Sequence, residues 1–182
     1  MVAYSKGMPL GTPAPAFSLP GVDGKTYSLD SFQDAKYLVV IFTCNHCPYA
    51  QALEPRFIEL QADYAPKGVQ IVAINPNDDR TYSEDSFAHM QKRARDHKWN
   101  FPYLRDESQS VAKAYDAACT PDIFVFDAER KLQYNGRFDD NWKDPGKVTR
   151  RELRRALDQL LAGGAVDFDV QPAIGCSIKW KQ

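Results

Sequence analysis

A cysteine pair placed where a strand gives way to a helix constrains this chain more than any other feature. Tyr37-Leu-Val-Val-Ile-Phe42 is a near-continuous apolar run, as expected of a strand covered on both faces. From Pro48 onward, Ala50, Leu53, Phe57, Leu60 and Tyr64 recur at three- and four-residue intervals and predict one buried helical stripe, with Pro55 kinking it. Between the two segments lies Cys44-Asn45-His46-Cys47. Two cysteines so spaced can close a small disulfide. At such a junction the first sulfur faces unpaired helix N–H groups, which favour thiolate over thiol.

Disulfide exchange needs one acidified sulfur to attack and a second, nearby, to release the mixed disulfide. Cys44 fits the attacking role and Cys47, about one turn inside the helix, the resolving role. A protonated His46 beside the thiolate would stabilise the reduced form and make the disulfide more oxidising. The competing readings are a structural zinc site or inert cysteines. Zinc needs four ligands, and no second C-x-x-C is present. No metal and no cofactor are expected.

The rest of the chain supplies a frame. Ala16–Leu19 and Lys25–Leu29, joined by Gly21-Val-Asp-Gly24, predict a hairpin. Val69–Ile74 reads as a second buried strand, followed by a polar loop at 75–79 and a helix over 83–98 capped by Ser83. A strand over 101–104, a helix over 107–115, strands over 123–126 and 131–138 and a helix over 148–161 complete the pattern. The order predicts an α/β fold whose central mixed sheet is flanked by helices on both faces, with the N-terminal hairpin as an extension. One domain over 1–182 is expected, with its core at about 8–162 and an irregular tail over 163–182.

Composition excludes several classes. The formal net charge of −1 gives no general pull toward nucleic acid or membrane. The cluster Arg150, Arg151, Arg154 and Arg155 is broken by Glu152 and followed by Asp158, so it reads as a solvated helix face. Four cysteines in 182 residues are too few for a disulfide-stapled scaffold. The N-terminus lacks an apolar signal-like stretch, and no apolar run reaches membrane-spanning length, so the cytoplasm is the expected location.

Thr120-Pro121, directly before the apolar strand, is the second informative feature. Proline cannot donate in a sheet ladder and belongs at a strand's start or edge, and an X-Pro bond there is a candidate cis peptide. Together these motifs resemble the thioredoxin-like superfamily. They are closest to the bacterial redoxin branch related to the alkyl-hydroperoxide-reductase/thiol-specific-antioxidant family. The resemblance rests on Phe42-Thr-Cys-Asn-His-Cys-Pro48, Val69–Asn75, Cys119-Thr-Pro-Asp122 and Gly136-Arg-Phe-Asp-Asp140, and the ending Gly175-Cys-Ser-Ile-Lys-Trp180 looks like one subgroup of that branch. It implies a thioredoxin fold, Cys44 as nucleophile, Cys47 as resolving thiol and a cis Thr120-Pro121 bond beside the disulfide. It also implies that the backbone there pairs with an extended substrate segment. The implied partner is a disulfide- or dithiol-bearing protein or a small thiol.

This chain departs from thioredoxin at two points. Thr43 stands where thioredoxin has Trp before its first cysteine. Leu38 stands where it has a buried Asp, six residues before that cysteine. Glu54, seven residues after Cys47, is the candidate replacement base; the alternative is an ordinary surface glutamate. The peroxiredoxin pattern P-x-x-x-T-x-x-C is not met. Ile41 and Tyr37 occupy the Thr and Pro positions before Cys44, Cys44 and Val40 those before Cys47, and Asp116 the Thr position before Cys119. Fast peroxide reduction is therefore not expected, although any low-pKa thiolate reacts slowly. Cys119 and Cys176 are read either as a second redox pair or relay, or as a buried small hydrophobe and an ordinary thiol. Copper binding by Cys44, Cys47 and one of His46, His89 or His97 is the remaining non-enzymatic reading.

Overall fold

The computed structural model describes residues 1–182. Its elements are β1 (Val2–Tyr4), β2 (Ser18–Pro20), β3 (Thr26–Ser28), β4 (Tyr37–Phe42), α1 (Pro48–Tyr64), β5 (Val69–Asn75), α2 (Phe87–Asp96), β6 (Tyr103–Arg105), α3 (Ser110–Ala114), β7 (Cys119–Thr120), β8 (Asp122–Phe126), β9 (Leu132–Asn135), α4 (Glu152–Leu161) and β10 (Ile174–Ser177). Five strands form the central sheet in the order β6-β5-β4-β8-β9. The β6–β5 and β5–β4 pairs are parallel, and the β4–β8 and β8–β9 pairs antiparallel. This is the mixed sheet of a thioredoxin-like fold, and β2 and β3 form the N-terminal hairpin, its turn carrying Gly24 at φ +84°.

The middle strand shows why the sheet must be covered twice. Val39 and Ile41 point into a core with Leu53, Phe57 and Leu60 of α1, Met90 of α2 and Leu157 of α4. Leu38, Val40 and Phe42 point the other way, against Phe17, Phe32, Val111 and Tyr115. Each such side chain contributes about 1.5–3 kcal/mol on burial, so a polar substitution anywhere on β4 breaks one core or the other.

Several sequence expectations are corrected. The helix expected over 83–98 is interrupted. A single 3-10 turn spans Ser83–Asp85, and Ser86, not Ser83, caps α2, accepting from the His89 N–H. The break lets the Asp85 side chain turn inward, where it is fully buried. The helices expected over 107–115 and 148–161 shorten to α3 and α4. The tail is not irregular throughout. β10 is the middle strand of a second sheet, β1-β10-β7. It is too short, and interrupted by Gly175, to show an alternating pattern in sequence, and its partners are β1 at the N-terminus and β7 at residues 119–120. No helix is long and apolar enough to cross a membrane.

Candidate active site

β4 and α1 deliver the cysteine pair to the rim of the sheet. Cys47 is the N-cap residue of α1, with φ −75° and ψ 123°, and Pro48 takes the first helical position, where its missing N–H costs nothing. Cys44 lies between strand and cap. Both cysteines are buried, at 3% and 0% exposure. Thr120 arrives from β7, and its bond to Pro121 is cis, as the motif implies. Its hydroxyl lies 3.4 Å from Cys44 Sγ, and its carbonyl accepts from Cys47 Sγ at 3.1 Å.

The sulfurs titrate as a coupled pair. The hydrogen bond from Cys44 lowers Cys47 most, more than burial raises it; Cys176 and the Ala50 backbone N–H lower it further. The same Cys44–Cys47 hydrogen bond raises Cys44, with burial and the charge of Asp85 adding to it.

His46 and Asp85 form the charged part of the site. His46 Nδ1 is 2.5 Å from Asp85 Oδ2, and the ring stacks on Tyr82 at 4.9 Å between centroids. Asp85 also accepts from the Asn45 backbone N–H at 2.6 Å and from Asn77 Nδ2 at 2.8 Å. Burial pushes Asp85 up, but these hydrogen bonds outweigh it and leave the carboxyl below its ordinary value. The bond to Asp85 raises His46, burial opposes, and the charges of Asp85 and Cys47 add to the rise. A ring nitrogen of His46, the Cys44 sulfur and an Asp85 oxygen all lie within 4.8 Å of one another. These are the groups that could hold a metal ion; Asp85 is already saturated by His46 and two amide donors. The aromatic Tyr49, tilted at 35° against Trp142, packs beside the cysteines.

Sequence reasoning missed Asp85. It lies 41 residues beyond Cys44 in a stretch rich in acidic residues, so only the tertiary fold marks it. Glu54 is placed differently from expectation. It is buried, and its carboxylate is taken by Arg93 Nε at 2.7 Å, Trp99 Nε1 at 2.6 Å and His97 Nδ1 at 2.8 Å. Seven residues keep Glu54 near the Cys47 face but carry it about 10 Å along the helix, where α2 and the chain after it claim it. His89 is exposed, and neither it nor His97 is brought to the sulfurs.

Cys119 and Cys176 part company. In the β10–β7 register Cys176 faces Thr120, whereas Cys119 faces Ser177. Neighbouring strand residues point to opposite faces, so the two cysteines do not pair. Cys119 is fully buried, its thiol directed to the Pro121 carbonyl at 3.5 Å, and burial raises its pKa. Cys176 instead packs against Cys44, Cys47 and Ala50. β10 also occupies the β7 edge that the resemblance assigned to a substrate strand.

The comparisons agree with this architecture. The chain belongs to the AhpC/TSA family, whose model matches residues 10–135. Among solved structures it is similar to an uncharacterized conserved protein from Geobacillus kaustophilus, at 46% identity and TM-score 0.95, covering 100% of this chain and 97% of that one. It is also similar to a hypothetical protein from Sinorhizobium meliloti 1021, at 42% identity and TM-score 0.93, covering 98% of each. The thioredoxin domain of a thiol-disulfide oxidoreductase from Bacteroides vulgatus, at 20% identity and TM-score 0.61 over 71% of this chain and 89% of that one, shares the fold. No curated protein matches.

Proposed function

We propose that the protein is a thiol-disulfide oxidoreductase in which Cys44 and Cys47 alternate between dithiol and disulfide. The observation that carries this reading is the pair itself: two sulfurs packed together at the start of α1, both against Thr120 beside its cis bond to Pro121. With one proton on the pair, placing it on Cys47, where the Thr120 carbonyl accepts it, makes Cys44 the attacking thiolate. Cys44 suits the attack because His46, a proton-bearing group at 16% side-chain exposure, stands beside it. Attack on a substrate disulfide releases one substrate thiol and forms a mixed disulfide. Cys47 then attacks Cys44 Sγ, releases the second thiol and closes the Cys44–Cys47 bridge. The cycle runs equally in reverse, and potential sets its direction.

The partner class is a disulfide- or dithiol-bearing protein or a small thiol, in a cytoplasmic setting. Asp85 holds the His46 ring in place; Glu54 has no part in the cycle. The test is substitution of each sulfur. Cys44→Ser should abolish disulfide reduction, and Cys47→Ser should accumulate a mixed disulfide at Cys44. Full activity in Cys44→Ser would refute the assignment.

A further inference from the structure

Three sulfurs, not two, meet at Thr120. The third belongs to the tail. β10 is inserted between β1 and β7, with Cys176 opposite Thr120 and Val2 opposite Cys176 on the other side. The Thr120 hydroxyl donates to the Cys176 carbonyl at 3.5 Å, while the same residue touches Cys44 and Cys47. Gly175 permits this approach: a Cβ there would stand 2.0 Å from the Thr120 carbonyl oxygen. The strand is fixed beyond Cys176 as well. Lys179 N donates to Asn77 Oδ1 at 2.9 Å, and its carbonyl accepts from the Asp78 N–H at 2.8 Å and Gln109 Nε2 at 2.9 Å. The tail is thus anchored to the loop that carries Asn77, itself a partner of Asp85.

Within the cluster the sulfurs are ordered. Cys44 and Cys47 pack together at the start of α1, both against Thr120, and Cys176 packs against them from β10. Exposure follows the same order at its outer end: Cys47 is fully buried, Cys44 nearly so, and Cys176 is half-buried. The sulfur most accessible to an external thiol is therefore the one in the tail.

We propose that Cys176 is a third redox sulfur, which exchanges with Cys47 and carries the disulfide from the buried pair to the surface. This rests on the reading that Cys44 and Cys47 form a disulfide. In the oxidised protein the Cys176 thiolate attacks Cys47 Sγ. The Cys47–Cys176 bond forms as the Cys44–Cys47 bond breaks, and Cys44 leaves as a thiolate that takes up the proton Cys176 gave away. Nothing is oxidised or reduced overall, so no further reagent is needed. A small external thiol then attacks Cys176 Sγ and releases Cys47. A second such thiol resolves the mixed disulfide, so two thiols become one disulfide and the protein returns to three thiols. Burial, then the hydrogen bond and charge of Cys47, push the Cys176 thiol up to about 11 in the reduced state, with Lys179 opposing. Once Cys47 is in a disulfide its charge is gone and the Lys179 contribution remains, which eases deprotonation where the step requires it. Cys119, on the other face of β7, takes no part.

The experiment is disulfide mapping of the full chain oxidised by graded amounts of oxidised glutathione, with acid quenching, alkylation and peptide mass spectrometry. Wild type should give both a Cys44–Cys47 bridge within one peptide and a Cys47–Cys176 cross-link between two. Cys176→Ser should give only the internal bridge, with regeneration by a small thiol slowed several-fold. Wild type that forms the Cys44–Cys47 bridge while Cys176 stays alkylatable at every ratio would overturn the third-sulfur role and leave the exchange reading standing. Failure of Cys176→Ser to form the internal bridge would overturn the exchange reading itself.

Discussion

Asp85 and Glu54 are both buried carboxylates that engage a histidine Nδ1, at 2.5 Å and 2.8 Å, yet they do different work. Glu54 is matched by the Arg93 guanidinium and the Trp99 indole as well as His97, so its charge is settled by a fixed cation and the histidine is incidental. Asp85 has no guanidinium. Its other donors are neutral amides, so its charge falls on His46, and His46 stands beside Cys44. A carboxylate paired with arginine holds two helices together. One paired with histidine sets a proton that the neighbouring chemistry can use.

Substitutions can break this contrast. Glu54→Gln leaves Arg93 without its anion and should destabilise the fold by about 3 kcal/mol in denaturant unfolding, while the pH profile of cysteine alkylation stays unchanged. Asp85→Asn should cost less, about 2 kcal/mol, but should shift that alkylation profile; an unchanged profile would mean that Asp85 is merely structural. His46→Gln should have the smallest effect on stability, about 1 kcal/mol, and a pH-dependent one. The His46 pKa is raised in the folded protein from 6.5, so its contribution is full below that value and is lost as pH rises through the raised pKa. The lowered Asp85 pKa places the acid limit below 3.8. The gap in Tm between wild type and His46→Gln should therefore be widest between pH 3.8 and 6.5 and close as pH rises through the raised His46 pKa; a gap that grows with pH would contradict the pairing.

The same contrast marks where sequence was informative. The cysteine pair, the Thr120-Pro121 turn, the β4 run and the hairpin were legible because each is a local pattern with a local cause. Glu54 was misread because helical periodicity gives a face but not a depth along the axis. Asp85 was invisible because its role depends on a break between Asp85 and Phe87 that brings it under Asn45. The β10 strand escaped because it has four residues, one of them glycine, and pairs only with the short strands β1 and β7, both remote in sequence.

The most direct test of the central claim is equilibration of Cys176→Ser with graded ratios of reduced to oxidised glutathione, followed by mass spectrometry of alkylated thiols. The account predicts that Cys44 and Cys47 lose their alkylation together in one two-electron transition while Cys119 remains reactive after unfolding. If Cys44 and Cys47 stay alkylatable at every ratio, or titrate separately, they are not a redox pair and the proposed exchange chemistry is wrong.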